Sequence, residues 1–520
     1  MARRIAPIYV KVATLVVIMA AVGFAQRAPD PAQEGLKALN AGDFTRAVQI
    51  FQPLASAQPS ADNFNYLAVA EAGGGDTAGA IRDFRNSIRL GNTSASVQYN
   101  LGLALMQSQQ PADSIAAFQK AIAIDPRYYA AQYALATALM DSGRPLLAIP
   151  YLEKARATMP GDSRIWTAMV AAEFQGGEPG RAARTAMDAV QAIPDDPKLA
   201  VTLATLCIHN EEVQTARNLL EDAIELLPEN VQVQLLLAKA SLLAGEPIET
   251  LSVLRNMKPL PPGEDESERL ALIGESRALT GNLPVAITDI TLATRSSPEN
   301  PRYLAALAWV DQLVGRYRES MDVLNRAKVL DPKNAELSYR IAVAHYFLGE
   351  ALQAERACDE TLQSSPTYAP GYLLRGIIDL DQNHPDSAIL NFRKAISLKP
   401  EVGLFRRELG IALFRSGNLG EAKQVLNDAL KLNPQDAEAY RWRAQILNAQ
   451  GARPEAIADL HTAIALQPGD SQNYEDLANL YAQAGNMAMA EKARADEQKA
   501  KAISKPQNGH GLLETMPRLN

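Results

Sequence analysis

The sequence predicts an all-α solenoid of about fourteen antiparallel helix pairs, and three observations predict it. First, a small residue recurs as Ala47, Ala80, Ser114, Ala148, Ala182, Ala216, Thr250, Ala286, Ser320, Ala354, Ala388, Ala422, Ala456 and Ala490, in steps of 33, then 34 five times, then 36, then 34 six times. Second, each period holds two apolar-periodic stretches of roughly 12–14 residues, the length of an ordinary helix. Third, glycine and proline fall at the joints. A turn glycine precedes the small column by five residues (Gly42, Gly75, Gly143, Gly177 and onward), and twelve of the 31 prolines close the period in one column from Pro59 to Pro468. Prolines in that register are stop signals between helices. One helix pair cannot bury its own apolar face, so the units must stack.

The elements follow in order. Arg3, Arg4 and Lys11 make a basic start, and Val12–Phe24 is uninterrupted apolar or small, with Gly23-Phe24-Ala25 before Gln26. That order reads as a signal peptide over residues 1–25, cleaved before Gln26. The alternative is an uncleaved anchor, although 13 apolar residues are short for a span of about 20. Residues 28–266 then carry the N-terminal repeats and 267–503 the C-terminal repeats. The 36-residue step coincides with Lys258-Pro259-Leu260-Pro261-Pro262-Gly263-Glu264-Asp265-Glu266, read as a stiff acidic loop that is either a long joint in one array or a hinge. Within second stretches, Pro53 and Pro150 should kink or shorten their helices. Arg494 and Glu497 replace apolar residues in the last stretch, as a polar capping helix requires. Residues 504–520, with Pro506 and Asn508-Gly509, read as a flexible tail.

Packing follows from the columns. Twelve residues before the small column stand Gly35, Ala68, Gly102, Ala136, Gly376 and Gly410, with Val170 the larger exception; four residues after it stand Phe51, Phe84, Phe118, Leu152, Phe392 and Leu426. Small residues let paired helices approach, and the large column fills the gap to the next unit.

Composition excludes several functional classes. The chain has 520 residues, 47% hydrophobic and 21% charged, which is too apolar for a disordered protein. A formal charge of −8 argues against nucleic acid as a partner, which needs a basic surface. Residues 26–266 hold 19 basic and 28 acidic side chains, net −9, against 29 and 31, net −2, for residues 267–520. Two cysteines, Cys207 and Cys358, lie several repeats apart in small apolar positions and read as buried packing thiols. The five histidines stand in different repeats or in the tail, so no metal site is expected. Gly73-Gly74-Gly75 lacks the following lysine and hydroxyl of a phosphate loop. No cofactor and no enzymatic activity are expected.

The pattern resembles the tetratricopeptide repeat family. Leu101-Gly102, Ser114, Phe118, Ala121 and Asp125-Pro126 stand at its spacing, as do Leu409-Gly410, Ala422, Ala429 and Asn433-Pro434, and the resemblance runs over about residues 28–502. It implies a right-handed superhelix whose first helices line a concave groove that binds peptides or protein segments. On this chain the groove residues would include Tyr66, Tyr99, Asn100, Tyr133, Tyr339, Arg340, Arg407, Arg415 and Arg441. Tyrosine and arginine dominate recognition hot spots. Arg407 and Arg441, one period apart, would hold an acidic segment or a chain terminus, unless Glu408, Glu475 and Asp476 satisfy them internally. The family's chaperone-terminus clamp is absent, since Ile411 and Gln445 stand where its asparagine is needed. The expected function is an exported scaffold, periplasmic or extracellular, binding a protein or peptide partner. The alternative is a regulatory or assembly subunit of a secretion, polysaccharide-export or envelope enzyme complex. Membrane contact is expected only through an uncleaved signal or a partner.

Overall fold

The computed structural model describes residues 31–258 and 260–503. The expected signal peptide and tail lie outside them. Among the described residues there are 28 α-helices and no strand. The chain divides at 257/258 into two compact units, each holding seven helix pairs.

In the N-terminal unit the pairs are α1 (Pro31–Asn40) with α2 (Phe44–Ala57), α3 (Ala61–Gly74) with α4 (Thr77–Arg89), and α5 (Ala95–Gln107) with α6 (Pro111–Ile124). There follow α7 (Tyr129–Asp141) with α8 (Pro145–Thr158), and α9 (Ser163–Gln175) with α10 (Pro179–Ala192). The unit ends with α11 (Pro197–His209) and α12 (Val213–Leu226), then α13 (Val231–Leu243) and α14 (Pro247–Arg255). The C-terminal unit opens with α15 (Glu264–Leu279) and α16 (Leu283–Ser296), α17 (Pro301–Leu313) and α18 (Tyr317–Leu330), and α19 (Ala335–Phe347) and α20 (Ala351–Ser364). It continues with α21 (Ala369–Asp381) and α22 (Pro385–Leu398), and α23 (Gly403–Arg415) and α24 (Leu419–Leu432). Its last pairs are α25 (Ala437–Ala449) with α26 (Arg453–Leu466), and α27 (Ser471–Gln483) with α28 (Met487–Ile503).

Each joint is built from local chemistry. Within pairs the turn residue takes a left-handed conformation, as at Gly143 (φ 71°), where glycine has no Cβ to clash. Between pairs, Asp or Asn commonly caps the next first helix: Asp436 Oδ1 accepts from Ala439 N at 3.0 Å, and Asn230 Oδ1 from Val233 N at 3.1 Å. The loop proline leaves a carbonyl to satisfy, and a donor six residues on satisfies it. Gln132 Nε2 donates to Pro126 O at 2.7 Å, Trp166 Nε1 to Pro160 O at 2.8 Å and Gln234 Nε2 to Pro228 O at 2.8 Å.

The core is the predicted pair of columns. Ala47, Ala80, Ala148, Ala286, Ala354 and Ala422 are fully buried. A Cβ placed on Gly35 would lie 2.6 Å from the Phe51 ring, and one on Gly102 or Gly376 would lie 2.5 Å from Phe118 or Phe392. Glycine at these three positions makes room for phenylalanine sixteen residues later.

Three local expectations are corrected. The helices holding Pro53 and Pro150 run their full 14 residues. Both prolines are exposed, as are Gln49 and Leu146, the residues whose carbonyls they release, so water can take the place of the lost bond. The acidic run Glu264-Asp265-Glu266 is not loop but the first turn of α15, where carboxylates complement the helix dipole. In α28, Arg494 is exposed as a capping helix requires, but Glu497 is buried with Lys501 Nζ at 2.5 Å.

Within each unit, successive first helices touch directly, from α1–α3 to α11–α13 and from α15–α17 to α23–α25, whereas α10 and α12 are the one comparable pair of second helices. The first helices therefore form the inside of the bend.

Candidate functional site

In the N-terminal unit the inner face is half-open and nearly uncharged. Helix spacing places Tyr99, Leu103 and Met106 of α5 on one face, and Tyr133, Thr137 and Met140 of α7 beside them; all six are partly exposed. Tyr128 and Tyr129 join them at the head of α7, where Tyr128 N donates to Asp125 O at 3.1 Å and the Gln132–Pro126 bond pins the turn. The Tyr99 ring lies 5.2 Å from that of Tyr128, inclined at 55°, and 5.9 Å from that of Phe118. Arg164 at the start of α9 acts electrostatically on Tyr99, Tyr129 and Tyr133, so four tyrosines from two repeats and an arginine from a third share one patch. Asp162 holds that arginine, accepting from Nε at 2.9 Å and Nη2 at 2.6 Å. Among the described residues, the hydroxyls of Tyr99, Tyr128 and Tyr129 and the amide of Asn100 make no hydrogen bond. Burial pushes the Tyr128 hydroxyl up to about 12 and raises those of Tyr99 and Tyr133, so all are neutral donors at any ordinary pH.

Toward the start of this unit, Tyr66 packs its ring 5.3 Å from that of Phe51 and keeps partial exposure. Asn65 beside it has a buried Oδ1 with no partner among the described residues.

The inner face of the C-terminal unit is built differently. Tyr339 and Arg340, expected on an open groove wall, are both 0% exposed, which corrects that expectation. Arg340 Nε donates to Glu336 Oε1 at 2.7 Å, and Tyr368 donates to the same carboxylate. One pair earlier, Arg302 sits between Glu268 and Glu275, the latter at 3.3 Å. Further along, Arg407 is 9% exposed and meets Glu408 at 3.0 Å, Asp436 at 3.3 Å and Glu438 at 3.4 Å. Arg441 lies 3.8 Å from Asp476 and 3.6 Å from Glu438, with its guanidinium 5.1 Å from the Trp442 ring. Arg415 Nη1 donates to Leu380 O at 3.1 Å. Each of these arginines is matched to carboxylates or carbonyls of its own or neighbouring helices, and Arg407 and Arg441 share Glu438. The sequence placed Arg407 and Arg441 in one register but could not show how far the fold encloses them.

Tyr128, Tyr129 and Arg164 were not singled out from the sequence. The available signal was density: Tyr99, Tyr128, Tyr129 and Tyr133 fall within 35 residues, out of 16 tyrosines in the chain.

The two cysteines are buried, and burial pushes both thiols up to about 12, as expected of packing positions. Among the described residues no group of three or more His, Cys, Asp or Glu is placed to hold a metal, and no helix is long and apolar enough to cross a membrane.

A helix-hairpin repeat protein with an inner face of this kind is defined by its period. Tetratricopeptide repeat models match residues 33–95, 67–129, 373–435 and 408–471, and a second such model matches 105–170. With the same register running between and beyond these matches, the chain is a tetratricopeptide repeat protein. It is similar to the human protein O-mannosyl-transferase TMTC1, 28% identical over 173 residues, covering 32% of this chain and 19% of that protein. It is also similar to the DnaJ homolog subfamily C member 7 homolog of Schizosaccharomyces pombe, 24% identical over 240 residues, covering 38% of this chain and 49% of the relative. The chain thus spans less than half the length of these curated relatives. Among solved structures, the anaphase-promoting complex hetero-tetramer Cut9-Hcn1 offers a chain 15% identical, with coverage of 94% of this chain and 96% of that one at a TM-score of 0.46.

Proposed function

We propose that the protein is a non-enzymatic scaffold that holds segments of other proteins on the inner face of its N-terminal unit. The observation that carries this reading is the contrast between the two inner faces. In the C-terminal unit the arginines are engaged by internal carboxylates. In the N-terminal unit, tyrosine rings and unbonded hydroxyls stand half-open on adjacent repeats, and such side chains supply large contact area at low entropic cost. We also propose export, on the basic start and apolar run of Arg3–Ala25, which would deliver the scaffold to the periplasm or the extracellular space. N-terminal sequencing of protein from the native host should begin near Gln26, and an intact Met1 in the membrane fraction would favour an anchored form.

The binding role is tested by panning a displayed peptide library against the full-length protein and against a Tyr99→Leu/Tyr133→Leu variant of matched helicity. Selected segments should bind the wild type at least tenfold more tightly. Failure to enrich any segment, or equal binding to the variant, would overturn the reading.

A further inference from the structure

Resting on that reading, we infer that the tyrosine cluster of α5, α7 and α9 takes an extended, proline-rich segment in the polyproline II conformation. The functional groups set the argument. Tyr99, Tyr128, Tyr129, Tyr133 and Arg164 present aromatic faces and hydrogen-bond donors, and burial raises the hydroxyls of Tyr99, Tyr128 and Tyr133, which stay protonated. A segment bound as a helix spends its carbonyls on its own N–H groups. A polyproline II chain has no internal hydrogen bonds, and each proline offers a carbonyl and no N–H. A donor-rich aromatic patch therefore matches a chain rich in acceptors, poor in donors and faced with flat apolar rings.

Spacing agrees. α5 and α7 touch directly, and packed helices lie about 8–10 Å apart. One turn of polyproline II, three residues, advances about 9 Å. Equivalent tyrosines on adjacent repeats, Tyr99 and Tyr133, are thus about one turn apart for such a ligand, so every third residue can meet a ring.

Charge narrows the choice further. Arg164 is held by Asp162, and the other cluster residues, with Asn100, Leu103, Met106 and Met140, are neutral, so neither an acidic nor a basic segment is selected. An amphipathic helix would need a continuous apolar groove, and here tyrosine hydroxyls and Asn100 interrupt it. Strand addition needs a sheet edge, and the described residues contain none. A proline-rich chain is also already extended, which lowers the cost of ordering it.

The test is fluorescence anisotropy of dye-labelled decaproline, a ten-residue glycine–serine control and an amphipathic helical peptide, each titrated with the full-length protein. Decaproline should bind saturably and at least tenfold more tightly than either control. Tyr99→Phe/Tyr129→Phe keeps the rings and removes two donors, so it should weaken decaproline about 5–30-fold; Tyr133→Leu should weaken it further. Should Tyr133→Leu lose helicity, the double phenylalanine variant decides alone. Decaproline binding no better than the controls, or unchanged by the double variant, overturns the inference. If library selection still yields tyrosine-dependent segments poor in proline, the scaffold reading stands without it. If selection yields nothing, both fall.

Discussion

Glu71 closes α3 against the first turn of α4, almost fully buried, where a Cβ on Gly79 would lie 2.9 Å from its carboxyl carbon. Burial first, and the neighbouring Asp83 second, push its carboxyl up to about 7, while the exposed Arg82, at 3.3 Å, only partly compensates. The folded state holds this proton more tightly than the unfolded chain, whose glutamates titrate near 4.5. Stability from this group is therefore fully present at acid pH and is lost as pH rises from that value toward 7. Glu71→Gln should stabilise the N-terminal unit by about 1–3 kcal/mol at pH 8, with the gain vanishing near pH 4.5; thermal melts of both proteins across that range would show the curves converge. Asp311, pushed up to about 6 by burial despite Arg316 at 3.8 Å, belongs to the same class. Neither was legible in the sequence, because Glu71 and Asp83 lie twelve residues apart and meet only when the hairpin closes. Tyr99, Asn100 and Tyr133 were legible, since their register alone puts them on the inner face. Tyr128 was not: it precedes the helix, and the bonds of the turn, Tyr128 N to Asp125 O and Gln132 to Pro126 O, bring it in.

At the scale of helices, glycine and phenylalanine fit as one unit. A methyl group on Gly102 would overlap the fully buried ring of Phe118, so Gly102→Ala should cost about 1–3 kcal/mol by overpacking. Where this column holds alanine, a smaller partner usually follows, as Ala136 precedes Leu152 and Ala342 precedes Cys358, with Ala68 and Phe84 the exception. Gly102→Ala/Phe118→Leu should accordingly recover part of the loss, measured by chemical denaturation; a double variant no more stable than Gly102→Ala would show that the two residues do not share one space. Ala68 with Phe84, both buried, marks the tightest tolerated combination. The helix pairs themselves were fully legible, because eleven of thirteen steps are 34 residues and leave no other period. Turn conformation was legible only where glycine announced it. Gln109, Glu211 and Asn383 adopt the same left-handed φ, at 59°, 65° and 62°; asparagine tolerates it, whereas at Gln109 and Glu211 it runs against the preference of the residue.

At the scale of the whole molecule, the two units spend polar residues differently. The C-terminal unit closes its inner face over ion pairs, and removing one partner of such a pair leaves buried charge behind. Arg407→Ala, which strips a cation from Glu408 (0% exposed) and Asp436, should cost about 3–5 kcal/mol. Hydrogen exchange should quicken first in α23–α26 and leave α3–α8 unchanged; uniform loosening would contradict this. Added salt should mimic the variant only weakly, since enclosed pairs are poorly screened. The charge sums of −9 and −2 hinted at two chemistries, but enclosure depends on how far each first helix turns inward, and no column of letters records that angle.

The uniform register has a consequence for how such a chain can change length. Each pair recognises its neighbour through the same few columns, so the joint between α20 and α21 is chemically much like that between α22 and α23. Excising residues 369–402, one exact period, would splice a new junction from matching halves, whereas removing a single residue inside a helix would turn the rest of that helix by about 100°. The molecule is thus editable in whole periods, and smaller edits are confined to the joints, as the 33- and 36-residue steps already are.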